Sequence, residues 1–141
     1  MADLALTDAE RTFLKALDEL GVRYLIVGLS AAVLQGADTV TADIDLWFEH
    51  RVPSHFGMMP PMLGGEELGD RLDVVLTVSG LRDFASEARD AKRIDVDGVD
   101  LPVLPLDRVI HSKRAAGRPK DLAVLPALEA ALAASTHSDD E

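Results

Sequence analysis

The sequence contains no cysteine and is poor in aromatic and basic residues. Among its 141 residues are 14 Lys or Arg and 25 Asp or Glu, so the formal net charge is −11 at pH 7. Without cysteine, the chain has no disulfide framework, no thiolate metal site and no cysteine nucleophile. The acidic balance also argues against binding to extended DNA or RNA, because neutralising phosphates requires clustered Lys and Arg.

Long apolar runs are absent as well. The longest nearly apolar stretch, residues 24–34, contains Gly28 and Ser30 and is well short of the roughly 20 residues that cross a bilayer. The start, Met1-Ala2-Asp3, lacks the basic residues of a signal peptide. We therefore predict a cytoplasmic protein without membrane contact, with one domain over residues 1–134 and an acidic, flexible tail over 135–141.

Alternating helix and strand patterns predict an α/β (α+β) fold, a small mixed β-sheet flanked by helices with a C-terminal helical segment. Thr7 and Glu10 form a capping box that begins the first helix. Further helices are predicted over 31–35, 81–89 and 106–116 and from Pro119 onward. Strands are predicted over 22–27, 42–48, 72–78, 93–96 and 99–103, the last two forming a hairpin around Asp97-Gly98.

Prolines and glycines refine these predictions. Pro102 indicates that the second strand of the hairpin lies at an edge of the sheet. Pro126 is expected to kink or restart the last helix. Residues 50–69 are rich in Gly, Pro and Met and are predicted to be a loop.

One segment departs from the acidic character of the chain. Residues 106–121 contain five basic and two acidic side chains, a local charge of +3, so the rest of the chain carries −14. A small anionic ligand would need such a segment, and a solvated helix face is the alternative interpretation.

Asp43 and Asp45 are the most informative residues of the sequence. Side chains two residues apart on a strand share a face, so the two carboxylates are expected to stand side by side. They would repel each other without a cation between them, and Mg²⁺ takes such hard oxygen ligands, with Mn²⁺ as a second suitable ion. A half-exposed strand with outward polar residues is the alternative interpretation.

Upstream of this pair, a strand turns directly into a helix at Gly28-Leu29-Ser30. Free backbone amides, the positive end of the helix and the Ser30 hydroxyl would together favour a phosphate group. Gly and Ser at such a position are also ordinary turn residues.

These motifs, in this order, resemble those of the DNA polymerase β-like nucleotidyltransferase superfamily. The family pairs a Gly-Gly/Ser strand–helix turn with Asp-x-Asp/Glu on the next strand, as in Val27-Gly28-Leu29-Ser30-Ala31-Ala32 and Thr41-Ala42-Asp43-Ile44-Asp45-Leu46. The C-terminal signature of the minimal bacterial branch that includes AbiEii-type toxins is similar to residues 106–122, LDRVIHSKRAAGRPKDL. The resemblance touches most of residues 22–125.

The resemblance implies a nucleotidyltransferase fold and a role for each matching position. Gly28 and Ser30 would cradle the triphosphate of a nucleoside triphosphate, and Asp43 and Asp45 would be catalytic and hold Mg²⁺. A third catalytic carboxylate, Asp73, would orient or help deprotonate the acceptor hydroxyl, the alternative being a solvated strand-end residue. Lys113 would meet phosphate oxygens, and Asp121 matches an acidic nucleotide-site position. Arg118 is the alternative partner of Asp121.

The implied activity is transfer of a nucleoside monophosphate to a hydroxyl of an RNA end or a protein, in a toxin of a toxin–antitoxin pair. An antitoxin or a second copy of the chain is then an expected partner. Two positions differ from the family pattern, since Leu29 replaces the second glycine and Thr39 stands where relatives carry arginine. They favour an alternative, a catalytically weakened member that binds a nucleotide or a partner protein.

Overall fold

The computed structural model describes residues 5–49, 71–75 and 78–139. Within them, the chain is a mixed α/β fold. Five helices lie over Asp8–Glu19 (α1), Gly28–Leu34 (α2), Phe84–Arg89 (α3), Leu106–Ala116 (α4) and Pro119–Asp139 (α5). Five strands lie over Tyr24–Val27 (β1), Ile44–Phe48 (β2), Leu72–Val75 (β3), Lys92–Val96 (β4) and Val99–Val103 (β5). The predicted loop over 50–69 lies outside the described residues.

The strands form one mixed sheet in the order β3-β2-β1-β5-β4. β1 pairs with β2 antiparallel and with β5 parallel, and β2 pairs with β3 parallel. The hairpin β4–β5 has the predicted two-residue turn, in which Asp97 and Gly98 both have positive φ. This order brings together β2, which carries Asp45, and β3, which carries Asp73, on one side of the sheet.

The prediction that Pro102 marks an edge strand is wrong, because β5 lies between β1 and β4. The two-residue turn places Arg93 and Pro102 opposite each other at a non-hydrogen-bonded position of the antiparallel ladder. The backbone nitrogen of Pro102, which has no N–H to donate, therefore faces β1. The register of β5 with β1 begins only at Val103. β4 is the edge strand instead.

Several predicted boundaries shift by a few residues. α2 begins directly at Gly28, and β1 and β2 begin two residues later than predicted, which leaves Asp43 just before β2. α3 begins at Phe84 with Asp83 as its N-cap. The backbone N–H of Arg82 donates to the Glu87 carboxylate at 2.9 Å, which holds the preceding residues outside the helix. Residues 76 and 77 of the predicted third strand lie outside the described part.

The last helix runs unbroken through Pro126 and continues to Asp139. It thus includes the first five residues of the segment predicted to be a flexible tail. No Gly or Pro follows Pro126, and the following residues are rich in Ala and Leu, which are strong helix formers. Leu128, fully buried, fixes this helix against the core.

The core is built mainly from the strands and from the inner faces of α1, α2 and α4. All four residues of β1 are buried. The Thr7–Glu10 capping box is confirmed, and Glu10 is fully buried with an ion pair to Arg71 at 3.3 Å. The largest fully buried apolar side chains are Leu14, Leu25, Ile26, Ile44, Leu46, Leu101, Leu104 and Leu128. In the described ranges, no helix combines the length and the apolar character needed to cross a membrane.

Candidate active site

The structure brings the three predicted aspartates to neighbouring positions on β2 and β3. Asp45 and Asp73 are direct partners in the parallel register of the two strands, which places their backbones about 4.8 Å apart with side chains on the same face. Asp43 lies two residues before Asp45, at the entry to β2. Asp45 and Asp43 are half-buried, and Asp73 is exposed. We name Asp43, Asp45 and Asp73 the acidic edge.

Electrostatics at the acidic edge disfavour ionisation of Asp45. Burial raises the pKa of the Asp45 carboxyl, and the charges of Asp73 and Asp43 raise it further. The ammonium group of Lys113 acts in the opposite direction and is the weakest of the four contributions. A carboxyl group whose pKa is raised by burial and by neighbouring carboxylates lies at a site that a cation would stabilise.

Gly28 is required by the position of Asp45. At the end of β1 the chain turns into α2 with a φ of +65° at Gly28, a conformation that L side chains rarely adopt. A Cβ atom built at Gly28 would overlap the Oδ2 atom of Asp45 and stand 3.4 Å from its Cγ atom. The carboxylate of Asp45 therefore rests against the bare backbone of the strand–helix turn.

Ser30 lies in the same turn, but its side chain is fully buried. The hydroxyl donates a hydrogen bond to the carbonyl oxygen of Val27 at 2.7 Å and accepts one from the backbone N–H of Asp45 at 3.1 Å. Ser30 thus connects the turn to β2 directly at the aspartate.

Lys113 and Asp121 lie at the junction of α4 and α5. Lys113, largely buried, places its Nζ 3.3 Å from Oδ1 of Asp121 while also acting on Asp45. Asp121 is 1% exposed and also accepts hydrogen bonds from the backbone N–H and the guanidinium of Arg118. These hydrogen bonds, those of Arg118 first, lower the pKa of Asp121. The alternative pairing of Arg118 with Asp121 is therefore observed, beside the pair of Lys113 with Asp121, which spans the left-handed Gly117.

The positive segment predicted over 106–121 is largely neutralised by ion pairs in the fold. Arg108 pairs with Glu87, Arg114 with Glu129, and Lys113 and Arg118 with Asp121. Of these basic side chains, Lys113 is the one whose charge also acts on Asp45. Lys113, paired with Asp121, is thus the basic side chain of this segment that contributes to the electrostatics of Asp45.

Three other positions from the sequence receive a definite place. Leu29 is half-buried and packs against the hydrophobic core. Trp47 is buried and contacts Phe84 edge to face, with ring centroids 5.3 Å apart, as a packing residue of the core. Thr39 lies in the loop between α2 and β2, where its N–H donates to the carbonyl of Ala37 at 3.0 Å.

Thr41 is a site residue that the motif comparison did not single out. Its hydroxyl donates to the carbonyl oxygen of Asp43 at 3.0 Å and accepts from the N–H of Asp43 at 3.3 Å. The Thr-x-Asp spacing is a sequence signal for such a turn, because Thr hydroxyls commonly bond to backbone groups two residues away. Thr41 therefore fixes the backbone of Asp43 just before β2 begins.

The donor chemistry of the acidic edge suits Mg²⁺, which takes oxygen ligands from one or two carboxylates and completes its shell with water and phosphate oxygens. The space above Gly28 is also kept free of a Cβ. Over residues 5–49, 71–75 and 78–139, no three acidic or histidine side chains converge closely enough to ligate one ion. The described residues therefore fit an ion held by Asp43 and Asp45 with water and substrate oxygens completing its shell.

No model of a known protein family matches this chain, and no curated protein is similar enough to it to count as a relative.

Proposed function

We propose that this chain is a Mg²⁺-dependent nucleotidyltransferase that moves a nucleoside monophosphate from a nucleoside triphosphate to a hydroxyl group. The observation that carries the proposal is the direct pairing of Asp45 with Asp73, beside Asp43, in a fold whose fully buried carboxylates pair with basic side chains. Repulsion among three carboxylates lowers the stability of the fold. A protein retains such an arrangement where the charges serve a ligand.

Each group of the site has a role that its position supports. Asp43 and Asp45 would hold the ion, because Thr41 and Ser30 fix their backbones. Asp73, exposed on the neighbouring strand, would orient the acceptor hydroxyl and take its proton. Lys113 would contact phosphate oxygens, since its ammonium lies within electrostatic reach of Asp45. A bound Mg²⁺ would supply offsetting charge for the attacking and leaving oxygens.

The proposed reaction is in-line substitution at the α-phosphorus. The acceptor oxygen forms a bond to this phosphorus while the bond to the bridging oxygen of pyrophosphate breaks, and the acceptor proton passes to Asp73. Positioning and electrostatic stabilisation supply most of the rate enhancement in such transfers. Nothing in this scheme requires a covalent enzyme intermediate.

The acceptor in the proposal is an RNA end or a protein hydroxyl, and the biological setting is that of a toxin with a cognate antitoxin. The net charge of −11 disfavours an extended nucleic acid, but one exposed end makes few phosphate contacts. Expression in a bacterial host tests the setting. We expect growth arrest with the wild-type chain and normal growth with Asp45→Asn, and equal growth of both would exclude toxicity through this site.

Incubation of the purified chain with each α-³²P-labelled nucleoside triphosphate, Mg²⁺ and total RNA or cell lysate tests the activity. Transfer of label that needs Mg²⁺ supports the proposal, provided that Asp45→Asn lowers it by about a thousandfold or more. Glu129→Gln is the matched control, because it removes one carboxylate on α5 that pairs with Arg114. Equal transfer by Asp45→Asn would refute the assignment.

A second candidate is a member of the same fold that binds a nucleotide or partner without transfer. Leu29 in place of the second glycine and Thr39 in place of an arginine favour it. Saturable nucleotide binding without label transfer would support this candidate. Absence of both transfer and binding would exclude both functions.

A further inference from the structure

We propose that Ser30 is a positioning residue that fixes the backbone of Asp45, and that it is not a ligand of the triphosphate. The inference rests on the proposed function for its catalytic consequence, while the structural contact can be measured without any substrate. Two hydrogen bonds carry it, from the Ser30 hydroxyl to the carbonyl of Val27 and from the N–H of Asp45 to the Ser30 oxygen.

The Ser30 hydroxyl has one hydrogen, and the Val27 carbonyl already accepts it at 2.7 Å. A phosphate oxygen needs a donor, so a contact with phosphate would require this bond to break. It would also require the Ser30 side chain, which is 0% exposed, to leave the core. Both changes are unfavourable, because the Val27 carbonyl and the Asp45 N–H would each lose a hydrogen bond.

These two hydrogen bonds lie at the end of the ladder between β1 and β2, next to the Asp45 carboxylate. Val27 and Asp45 are register partners at the end of the antiparallel ladder between β1 and β2. At Gly28 the chain leaves the sheet with positive φ and enters α2. The Ser30 hydroxyl bridges the two strands at this point, joining the Val27 carbonyl to the Asp45 N–H. It thus secures the backbone that carries the Asp45 carboxylate while the bare Gly28 leaves room for its Oδ2 atom.

Ser30→Ala removes the bridge, Ser30→Cys keeps the side-chain volume but is a poor hydrogen-bond acceptor, and Ser30→Thr restores the hydroxyl. Ser135→Ala is a matched control, because the Ser135 hydroxyl also donates to a carbonyl three residues earlier, that of Leu132. The first measurement is hydrogen exchange of the Asp45 amide in the ligand-free protein, followed by NMR.

We expect exchange at Asp45 to become about tenfold faster or more in Ser30→Ala and Ser30→Cys, and to stay within about twofold in Ser30→Thr and Ser135→Ala. If Ser30→Ala does not fold, Ser30→Cys decides the same question. Unchanged exchange at Asp45 in a folded Ser30→Ala or Ser30→Cys protein would overturn the proposal.

The second measurement separates positioning from phosphate binding. Steady-state transfer with Mg²⁺ should show kcat lowered about 10- to 100-fold in Ser30→Ala, KM for the nucleoside triphosphate within about twofold, and recovery in Ser30→Thr. Affinity for inorganic triphosphate without metal should also be unchanged. A tenfold weaker affinity for triphosphate with normal Asp45 exchange would make Ser30 a phosphate ligand instead. If the wild-type chain transfers no label, the proposed function fails, while the exchange result still decides the contact.

Discussion

The acidic edge and the buried carboxylate of Glu87 lie in opposite electrostatic environments. At the acidic edge, Asp45 faces Asp73 across two strands, and the neighbouring charges raise its pKa. Glu87, on α3, is fully buried and accepts hydrogen bonds from Arg82 and Arg108. Burial raises the pKa of Glu87, but the hydrogen bonds from Arg108 and Arg82 outweigh this and lower it to about 2.

Under the proposed function, this difference separates Glu87, which has a structural role, from the acidic edge, which serves a ligand. The Glu87 carboxylate joins the start of α3 to α4 through Arg108 and is satisfied within the fold. In the proposed function, a cation offsets the repulsion among the aspartates of the acidic edge. The predictions below test this contrast.

The largest loss of stability is expected when Glu87, whose carboxylate is fully paired, is substituted. Glu87→Gln removes the charge while two arginines remain oriented toward it, which should lower the free energy of unfolding by about 3 kcal/mol. Urea denaturation followed by circular dichroism measures the change. Glu129→Gln, which breaks a half-exposed pair with Arg114, should change stability by less than about 1 kcal/mol. Similar effects of both substitutions would contradict the assigned difference between buried and exposed pairs.

The pH dependence of unfolding should report the same group. The pKa of Glu87 is lower in the folded chain than its usual value of 4.5, so its stabilising contribution is complete above pH 4.5 and is lost as the pH falls toward about 2. The loss attributable to Glu87 should be on the order of 2–3 kcal/mol. Denaturation midpoints measured across this pH range should fall more steeply for the wild type than for Glu87→Gln. Parallel curves would show that Glu87 does not contribute.

A smaller effect is expected where the acidic edge meets the strand–helix turn. Gly28→Ala should destabilise the chain by about 2 kcal/mol, because it combines a φ of +65° with overlap on Asp45. Gly21→Ala has a similar φ of +73° and open space around the added Cβ, and should cost only about 1 kcal/mol. Combining Gly28→Ala with Asp45→Ala should recover the difference. Equal costs at both glycines would show that Asp45 does not approach the turn.

The smallest expected effect has the opposite sign. Asp45→Asn should stabilise the ligand-free chain by about 0.5–1 kcal/mol at pH 7, since it removes a charge directly opposite Asp73. Because the pKa of Asp45 is raised on folding, its charge costs stability above that pKa, and the cost declines as the pH falls toward the usual value of 3.8. Thermal melts at pH 7 and pH 3 should therefore differ between variant and wild type only at pH 7. A destabilised variant at pH 7 would contradict the assigned repulsion.

Local sequence signals predicted much of this fold. The Thr7–Glu10 capping box and the Asp97-Gly98 hairpin are both observed. Pro102 was misleading because sequence shows that an N–H is missing, but not which neighbouring strand it would have faced. The start of α3 likewise depends on the hydrogen bond from the Arg82 N–H to the Glu87 carboxylate.

The acidic edge was predictable in part. The spacing of Asp43 and Asp45 indicated adjacent carboxylates, but only the parallel register of β2 and β3 places Asp73 opposite Asp45. The ion pairs that neutralise the basic segment depend on tertiary contacts with Glu87 and Glu129, which lie outside that segment. The buried bridge of Ser30 similarly joins residues 15 positions apart.

Calorimetric titration with a non-hydrolysable nucleoside triphosphate, with and without Mn²⁺, tests most directly whether the acidic edge is a cation-dependent nucleotide site. We predict saturable binding to the wild type that requires Mn²⁺, normal binding to Glu129→Gln, and an affinity at least about tenfold lower for Asp45→Asn with Mn²⁺ present. Equally tight Mn²⁺-dependent binding to Asp45→Asn, or no binding to the wild type, would contradict the account.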